Sequence, residues 1–392
     1  MKNLSTKIAI KFGVLINSHG TYKKGFLIVD DGIIKGISKE DIAGYDILDF
    51  SDKFIFPGFI DIHTHGYYGI DSMDSNEEEI HRWARKLTEN GVTSFIPTGV
   101  SSSFENAKHF LTKIEHTIHN QKNNEAVILG ARIEGPYISL EKKGAHNQNF
   151  VRDIDMEEIR ELCTDYNSAL KIIDMAPELK NFEEAFNALT IAGIIVSAGH
   201  TNADFLTAND MLSKGIKLIT HFYNAMSPLD HRNAGMVGAG FLSKNIYLEL
   251  IADLHHVSPE AIKILIKQVG MERTILITDS LSIGGSDKSS GVLGGMDIDI
   301  NDDVAWIHNT HTIAGSILRL NEALKNIHNI GFEIESIIPA MGFNQANLLG
   351  YRDLGDIITG RRANICVMDN NYNVCYTLIN GKIVYKNADS FY

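Results

Sequence analysis

Two histidines, His63 and His65, stand one residue apart at the end of the apolar run FPGFIDIHTHG. In an extended strand, side chains at i and i+2 leave the same face. Both imidazoles can therefore aim at one spot, either as metal ligands or as hydrogen-bonded structural groups. Glu134, Glu178, His200, His221 and Asp279 each end a further short apolar run, and His255 and His256 closely follow another. A single histidine at a strand end is more often a satisfied structural group. Taken together, however, His63, His65, Glu134, His200, His221 and Asp279 have the composition of a site for a divalent ion such as zinc, iron or manganese. No cysteine cluster lies nearby to suggest a structural zinc site. Asp279 beside a metal could take a proton from water and pass it to a leaving group. Its alternative role is a helix cap, since TDSLS can begin a helix.

The elements that must position these groups are legible as an alternation. Eight short, nearly continuous apolar runs (FIFPGFIDIH, SFIPTG, AVILGARIEG, LKIIDMAPE, IIVSAGH, LITHFYNA, IYLELIAD and TILITDS) are separated by amphipathic stretches such as NEEEIHRWARKLTEN and SPEAIKILIKQVG. Continuous runs are the mark of strands buried on both faces, and their alternation with helices predicts βαβ units. Eight is the number that closes a (β/α)₈ barrel, an α/β fold whose active sites lie at the C-terminal ends of the strands. The polar residues above gather at those ends. The first fifty residues instead alternate like exposed strands, with a turn at Asp30-Asp31-Gly32, and ANICVMD, VCYTLI and KIVYKN near the other end are strand-like too. We expect the two chain ends to meet in a small β-sandwich domain, residues 1–53 and 351–392, flanking a barrel of residues 54–350. After Asp279 the sequence predicts a Gly/Ser-rich stretch, either a lid or a solvated connection, and then a helical region to about Leu349.

A formal net charge of -13 speaks against a nucleic-acid or anionic-membrane surface, which needs a basic stripe. It does not exclude a small anionic substrate, because a few local cations override the global field. Cys163, Cys366 and Cys375 are too few and scattered for a disulfide framework, which fits the reducing cytoplasm. No signal-peptide pattern or membrane-spanning apolar run is apparent.

The segments PGFIDIHTHG, EGPYISLEKKGAHNQNF, APE, VSAGHTNA, THFYNAMSP, IADLHHV and LITDS occur in this order in the amidohydrolase superfamily. The chain resembles that superfamily and, within it, the N-acetylglucosamine-6-phosphate deacetylase family. The resemblance implies deacetylation of a phosphorylated amino sugar, one or two divalent ions per chain, and a homodimer whose neighbouring subunit completes part of the phosphate pocket. It assigns Glu134, His200 and His221 as core metal ligands and Asp279 as general base and acid. His146 would contact the acetamide carbonyl. Asn224, Ala225 and Arg232 would hold the sugar phosphate, and His256 would bind substrate. Arg232 is otherwise a surface arginine in a loop. Some family members replace the opening histidines with Gln-x-Asn and hold one ion; His63 and His65 thus imply capacity for a second, with Glu134 between the two. Leu254 stands where the family has glycine, and Asn-Ala-Gly follows Arg232 where Glu-Pro-Gly is common. Alternatives are an amidohydrolase acting on another N-acyl amino sugar phosphate, such as N-acetylgalactosamine 6-phosphate, or on a cyclic amide, and an inactive barrel serving as a binding protein.

Overall fold

The computed structural model describes residues 7–388, so the outermost residues of the expected two-ended domain, 1–6 and 389–392, lie outside the described residues. The chain starts with β1 (Lys7–Asn17), β2 (Gly20–Asp30), β3 (Ile33–Ser38) and β4 (Asp46–Pro57). β1 pairs antiparallel with β2 and parallel with β4. Alternate side chains such as Ile8, Ile10 and Phe12 are buried together with Leu27 and Val29 of β2, as the period-2 geometry of strands requires.

Eight parallel strands follow: β5 (Phe59–Thr64), β6 (Val92–Gly99), β7 (Ala131–Glu134), β8 (Leu170–Met175), β9 (Ile195–Ala198), β10 (Leu218–Ile219), β11 (Tyr247–Ile251) and β12 (Thr274–Ile277). Each pairs with the next in sequence order. Every residue of β5, β6, β7 and β12 is buried, which explains their continuous apolar character. At the C-terminal end the last strand returns to the first. The Asp279 N–H donates to the His63 carbonyl at 2.8 Å, and Thr278 Oγ1 donates to Asp61 Oδ2 at 2.6 Å. The result is a nearly closed eight-stranded barrel.

The amphipathic stretches form the outer helices. In Glu77–Leu87, Asn76 and Glu79 make a capping box and the spacing of Ile80, Trp83, Ala84 and Leu87 buries one face. Burying Ile80 and Leu87 contributes about 1.5–3 kcal/mol each. Pro259–Val269 is capped by Ser258 and carries proline in its first turn, where no N–H is needed.

Between Asp279 and the later helices the structure differs from expectation. Residues 290–315 form a four-stranded antiparallel sheet: β13 (Ser290–Leu293), β14 (Met296–Asn301), β15 (Val304–Ile307) and β16 (Ile313–Gly315). Helix resumes only at Leu320. Two tight turns set its register, with positive φ at Gly294 and Gly295 (53° and 81°) and at Asp302 and Asp303 (51° and 61°). Leu293, Ile298 and Ala305 pack on Val100, Leu281 and Ile283, which seats this sheet at the barrel mouth. The chain ends with β17 (Ile365–Met368), β18 (Val374–Ile379) and β19 (Lys382–Lys386). β17 pairs antiparallel with β4. The two chain ends thereby share one seven-stranded sheet, ordered β19-β18-β17-β4-β1-β2-β3. Cys366 and Cys375 are buried within it and form no disulfide.

Candidate active site

The barrel brings the six expected ligand residues together. His63 near the end of β5 and His65 just beyond it meet Asp279, their ligand atoms lying within 4.8 Å of one another; Glu134, His200 and His221 form a second such group. Glu134 stands between the groups. Its Oε1 is 3.1 Å from His200 Nε2 and 3.0 Å from His221 Nε2, while its Oε2 is 3.2 Å from His65 Nε2. Asp279 Oδ1 lies 3.0 Å from His65 Nε2 and 3.4 Å from His63 Nε2. Tetrahedral ligands bonded to zinc at 2.0–2.1 Å are roughly 3.3 Å apart, so these spacings fit a cation between them. Two further observations agree. His63 Nε2 is buried without a hydrogen-bond partner, and His200 Nε2 faces His221 Nε2 at 3.0 Å, where two lone pairs need a shared cation or proton.

The backbone aims these groups by sharp turns at the strand ends. His200, His221 and Asp279 have φ of 48°, 26° and 50°, in or near the left-handed region that costs roughly 1–2 kcal/mol for a side-chain-bearing residue. No helix begins at Asp279, so the capping alternative is replaced by a strand-end turn. Gly144, in KKGAHN, has φ of 53°, and a Cβ there would lie 3.2 Å from His200 Cε1. Glycine keeps that approach open.

Electrostatically, the site demands positive charge. Burial opposes ionisation of Asp279, but His63 and His65 outweigh it and hold its carboxyl at about 2. Burial likewise disfavours the His65 imidazolium, yet its bonds to Asp279 and Glu134 lift it to about 9. Bound protons or metal cations can satisfy the same carboxylates. His146 behaves oppositely: burial and then His200 push it down to about 4. It is therefore neutral near pH 7. Its Nδ1 accepts from the Ser101 N–H at 3.2 Å, which leaves the proton on Nε2, 3.4 Å from Glu134 Oε2. That N–H is a donor directed into the site.

A cavity of about 550 Å³ opens over these groups, with His65, Glu134, His146, His200, His221 and Asp279 in its wall. This is the size of a small-ligand pocket. Asn224, Ala225 and His256 also line it. His256 Nδ1 is 2.6 Å from Asp253 Oδ2, and both the His255 and His256 N–H groups donate to Asp253 Oδ1 at 2.9 Å. Leu254, where the family has glycine, keeps the left-handed turn with φ of 68°. His255 points to solvent. Arg232 is exposed and lies outside the cavity wall. Glu178 is outside it too, accepting from Thr201 Oγ1 at 2.5 Å and the Asn202 N–H at 2.6 Å, and thereby bracing the loop after His200.

The model of the amidohydrolase family matches residues 54–384. An N-acetylglucosamine-6-phosphate deacetylase of Lysinibacillus sphaericus is 31% identical over 374 residues, covering 94% of this chain and 95% of that one. The chain belongs to the amidohydrolase family. Among solved structures, an N-acetylglucosamine-6-phosphate deacetylase from Thermotoga maritima superposes with a TM-score of 0.88 at 31% identity, covering 97% of this chain and 100% of that one. The enzyme of the same name from Pasteurella multocida gives a TM-score of 0.92 at 28% identity over the same shares. Members of the family generally depend on a divalent metal, which agrees with the two ligand groups of this amidohydrolase.

Some residues around the site of this amidohydrolase escaped sequence reasoning. Leu293, Thr312, Ile313, Ala314 and Gly315 bring the four-stranded sheet into the cavity wall, and Lys142 and Lys143 add cations. Beneath the ligands, Arg132, Asp174 and Glu249 are fully buried inside the barrel. Their signal was present: each interrupts an apolar run, and charges in a strand buried on both faces must find one another.

Proposed function

We propose that this chain is a metal-dependent deacetylase that hydrolyses N-acetylglucosamine 6-phosphate to glucosamine 6-phosphate and acetate. The observation that carries this reading is the convergence of an ionised carboxylate, Asp279, and a neutral N–H donor, His146, on the paired ligand groups inside a sugar-sized cavity. Glu134, His200 and His221 would hold one divalent ion, and His63, His65 and Asp279 a second beside it. A bound ion would supply Lewis acidity, polarising the acetamide carbonyl and acidifying water toward a pKa of about 7. Asp279 takes the proton from the attacking water and returns it to the amine nitrogen as the C–N bond breaks. His146 Nε2–H donates to the carbonyl oxygen as negative charge develops there, a contribution of about 3–4 kcal/mol for a well-placed donor. His256, fixed by Asp253, binds the sugar, and Asn224 and Ala225 bind the phosphate side through the backbone. Arg232 completes the phosphate site in a homodimer, where its exposed position allows it to meet substrate at the subunit boundary.

The remaining parts of the reading follow from this activity. We assign residues 54–350 to the catalytic barrel and 1–53 with 351–392 to the sheet domain, and place the enzyme in the cytoplasm. Among the described residues no helix is long and apolar enough to cross a membrane. The decisive assay is acetate release by metal-replete protein from the 6-phosphates of N-acetylglucosamine and N-acetylgalactosamine, with unphosphorylated N-acetylglucosamine alongside. Turnover of the gluco phosphate above the other two is expected. No release from either phosphate overturns the proposal, and a preference for the galacto epimer replaces the substrate.

A further inference from the structure

Arg132 on β7, Asp174 on β8 and Glu249 on β11 make a charged cluster in the barrel interior directly below the ligands. Arg132 donates from Nε and Nη2 to Asp174 at 2.8 and 2.7 Å, and from Nη1 to Glu249 Oε1 at 2.5 Å. Well-packed apolar residues in place of a buried charge cluster are often as stable or more so. Stability alone therefore gives little reason for these three. Their upper edge suggests another role. Glu249 Oε2 is 3.1 Å from His63 Nδ1 and accepts the His221 backbone N–H at 3.2 Å. One carboxylate oxygen thus contacts a residue from each ligand group.

Paired with Arg132, Glu249 is a carboxylate and can only accept hydrogen bonds. The shared proton must then sit on His63 Nδ1. The lone pair is left on Nε2, the atom that faces Glu134 at 3.5 Å and Asp279 at 3.4 Å. The other ligand histidines lack this arrangement: His65 and His200 place Nδ1 against the carbonyls of Thr98 (3.1 Å) and Lys142 (2.8 Å), and His221 Nδ1 has no partner among the described residues. A carboxylate behind an imidazole fixes its tautomer and makes it a more basic ligand.

We infer that Glu249 is a positioning residue for the metal pair, orienting His63 toward the second ion and anchoring the strained turn at His221, with Arg132 holding its carboxylate in place. The inference rests on the reading of His63 as a ligand, and the experiment separates the two. Zinc content and resistance to graded chelator are measured for the wild type, Glu249→Gln, His63→Gln, the double variant and Asp174→Asn, which disturbs the other side of Arg132 without touching a histidine. Glu249→Gln is expected to hold the more labile zinc roughly 10- to 100-fold less tightly while keeping the other. His63→Gln should lose that ion, the double variant should be no worse than His63→Gln, and Asp174→Asn should match the wild type in zinc affinity. Loss in His63→Gln with wild-type zinc affinity in Glu249→Gln overturns the positioning role alone. So does an equal loss in Asp174→Asn. Two tightly held ions in His63→Gln overturn the ligand reading and this inference with it. A further readout needs no Glu249 variant: ¹⁵N-histidine-labelled, zinc-loaded wild type should give a slowly exchanging proton on an Nδ1 that is missing in His63→Gln, and its absence from the wild type also overturns the inference.

Discussion

Asp279 is a carboxylate kept ionised where burial disfavours charge, and the two histidines that achieve this are the same groups that would share a metal with it. Its exchange for asparagine keeps the shape and removes the proton acceptor. Asp279→Asn should lower kcat by about 10²–10⁴-fold while circular dichroism shows an unchanged fold; near-normal turnover would remove its role. His256 supplies a pH dependence. Burial favours its neutral form, but Asp253 outweighs this and raises its pKa above 6.5. The cation is thus retained above that pH and lost as pH rises through the elevated value. KM for the phosphorylated sugar should increase over that rise, and His256→Asn should flatten the profile. At this scale the sequence was informative where chemistry coincided with a strand end, as at His63 or Glu134. Arg232 was suggested by its motif, and no residue pattern could say whether its loop turns inward. Glu249 shows in the sequence as a charge that interrupts an apolar run, but its partner Arg132 lies 117 residues away, so no local pattern announces the pairing.

The strands were legible because burial on both faces leaves nearly unbroken apolar runs. The four-stranded sheet over residues 290–315 was not. Its strands are short, its outward positions carry Asp and Asn, as in MDIDIN, and the Gly/Ser stretch before it reads as a loop. The two glycines at its first turn were the available signal, since a two-residue hairpin of type I′ needs positive φ at both central positions. At Gly294 an added Cβ would lie 2.9 Å from Val100 Cγ2. Gly294→Ala should therefore displace the hairpin, whose Leu293 is part of the cavity wall. The expected outcome is a several-fold higher KM with unchanged metal content, read by steady-state kinetics and elemental analysis.

For the molecule as a whole, the site is a point where several strands bring two carboxylates, Glu134 and Asp279, together with four histidines. Removing metal should leave those carboxylates to be neutralised by protons alone. An ion present at about 1,000 times its Kd stabilises the folded state by about 4 kcal/mol. Chelation should accordingly lower the melting temperature by roughly 5–10 °C, with recovery on adding back zinc, iron or manganese. An unchanged Tm would mean that the folded state does not hold the ion tightly.

The sheet shared by both chain ends has a consequence for synthesis. β4 receives its partner β17 only after more than three hundred further residues have been made. Until then a growing chain carries an unsealed β-edge, the kind of surface that recruits other strands. Pairing over such a separation is also slow. The ribosome therefore finishes the catalytic barrel before the chain can close its own first sheet, and protection of that waiting edge becomes part of what the cell must provide to make this enzyme.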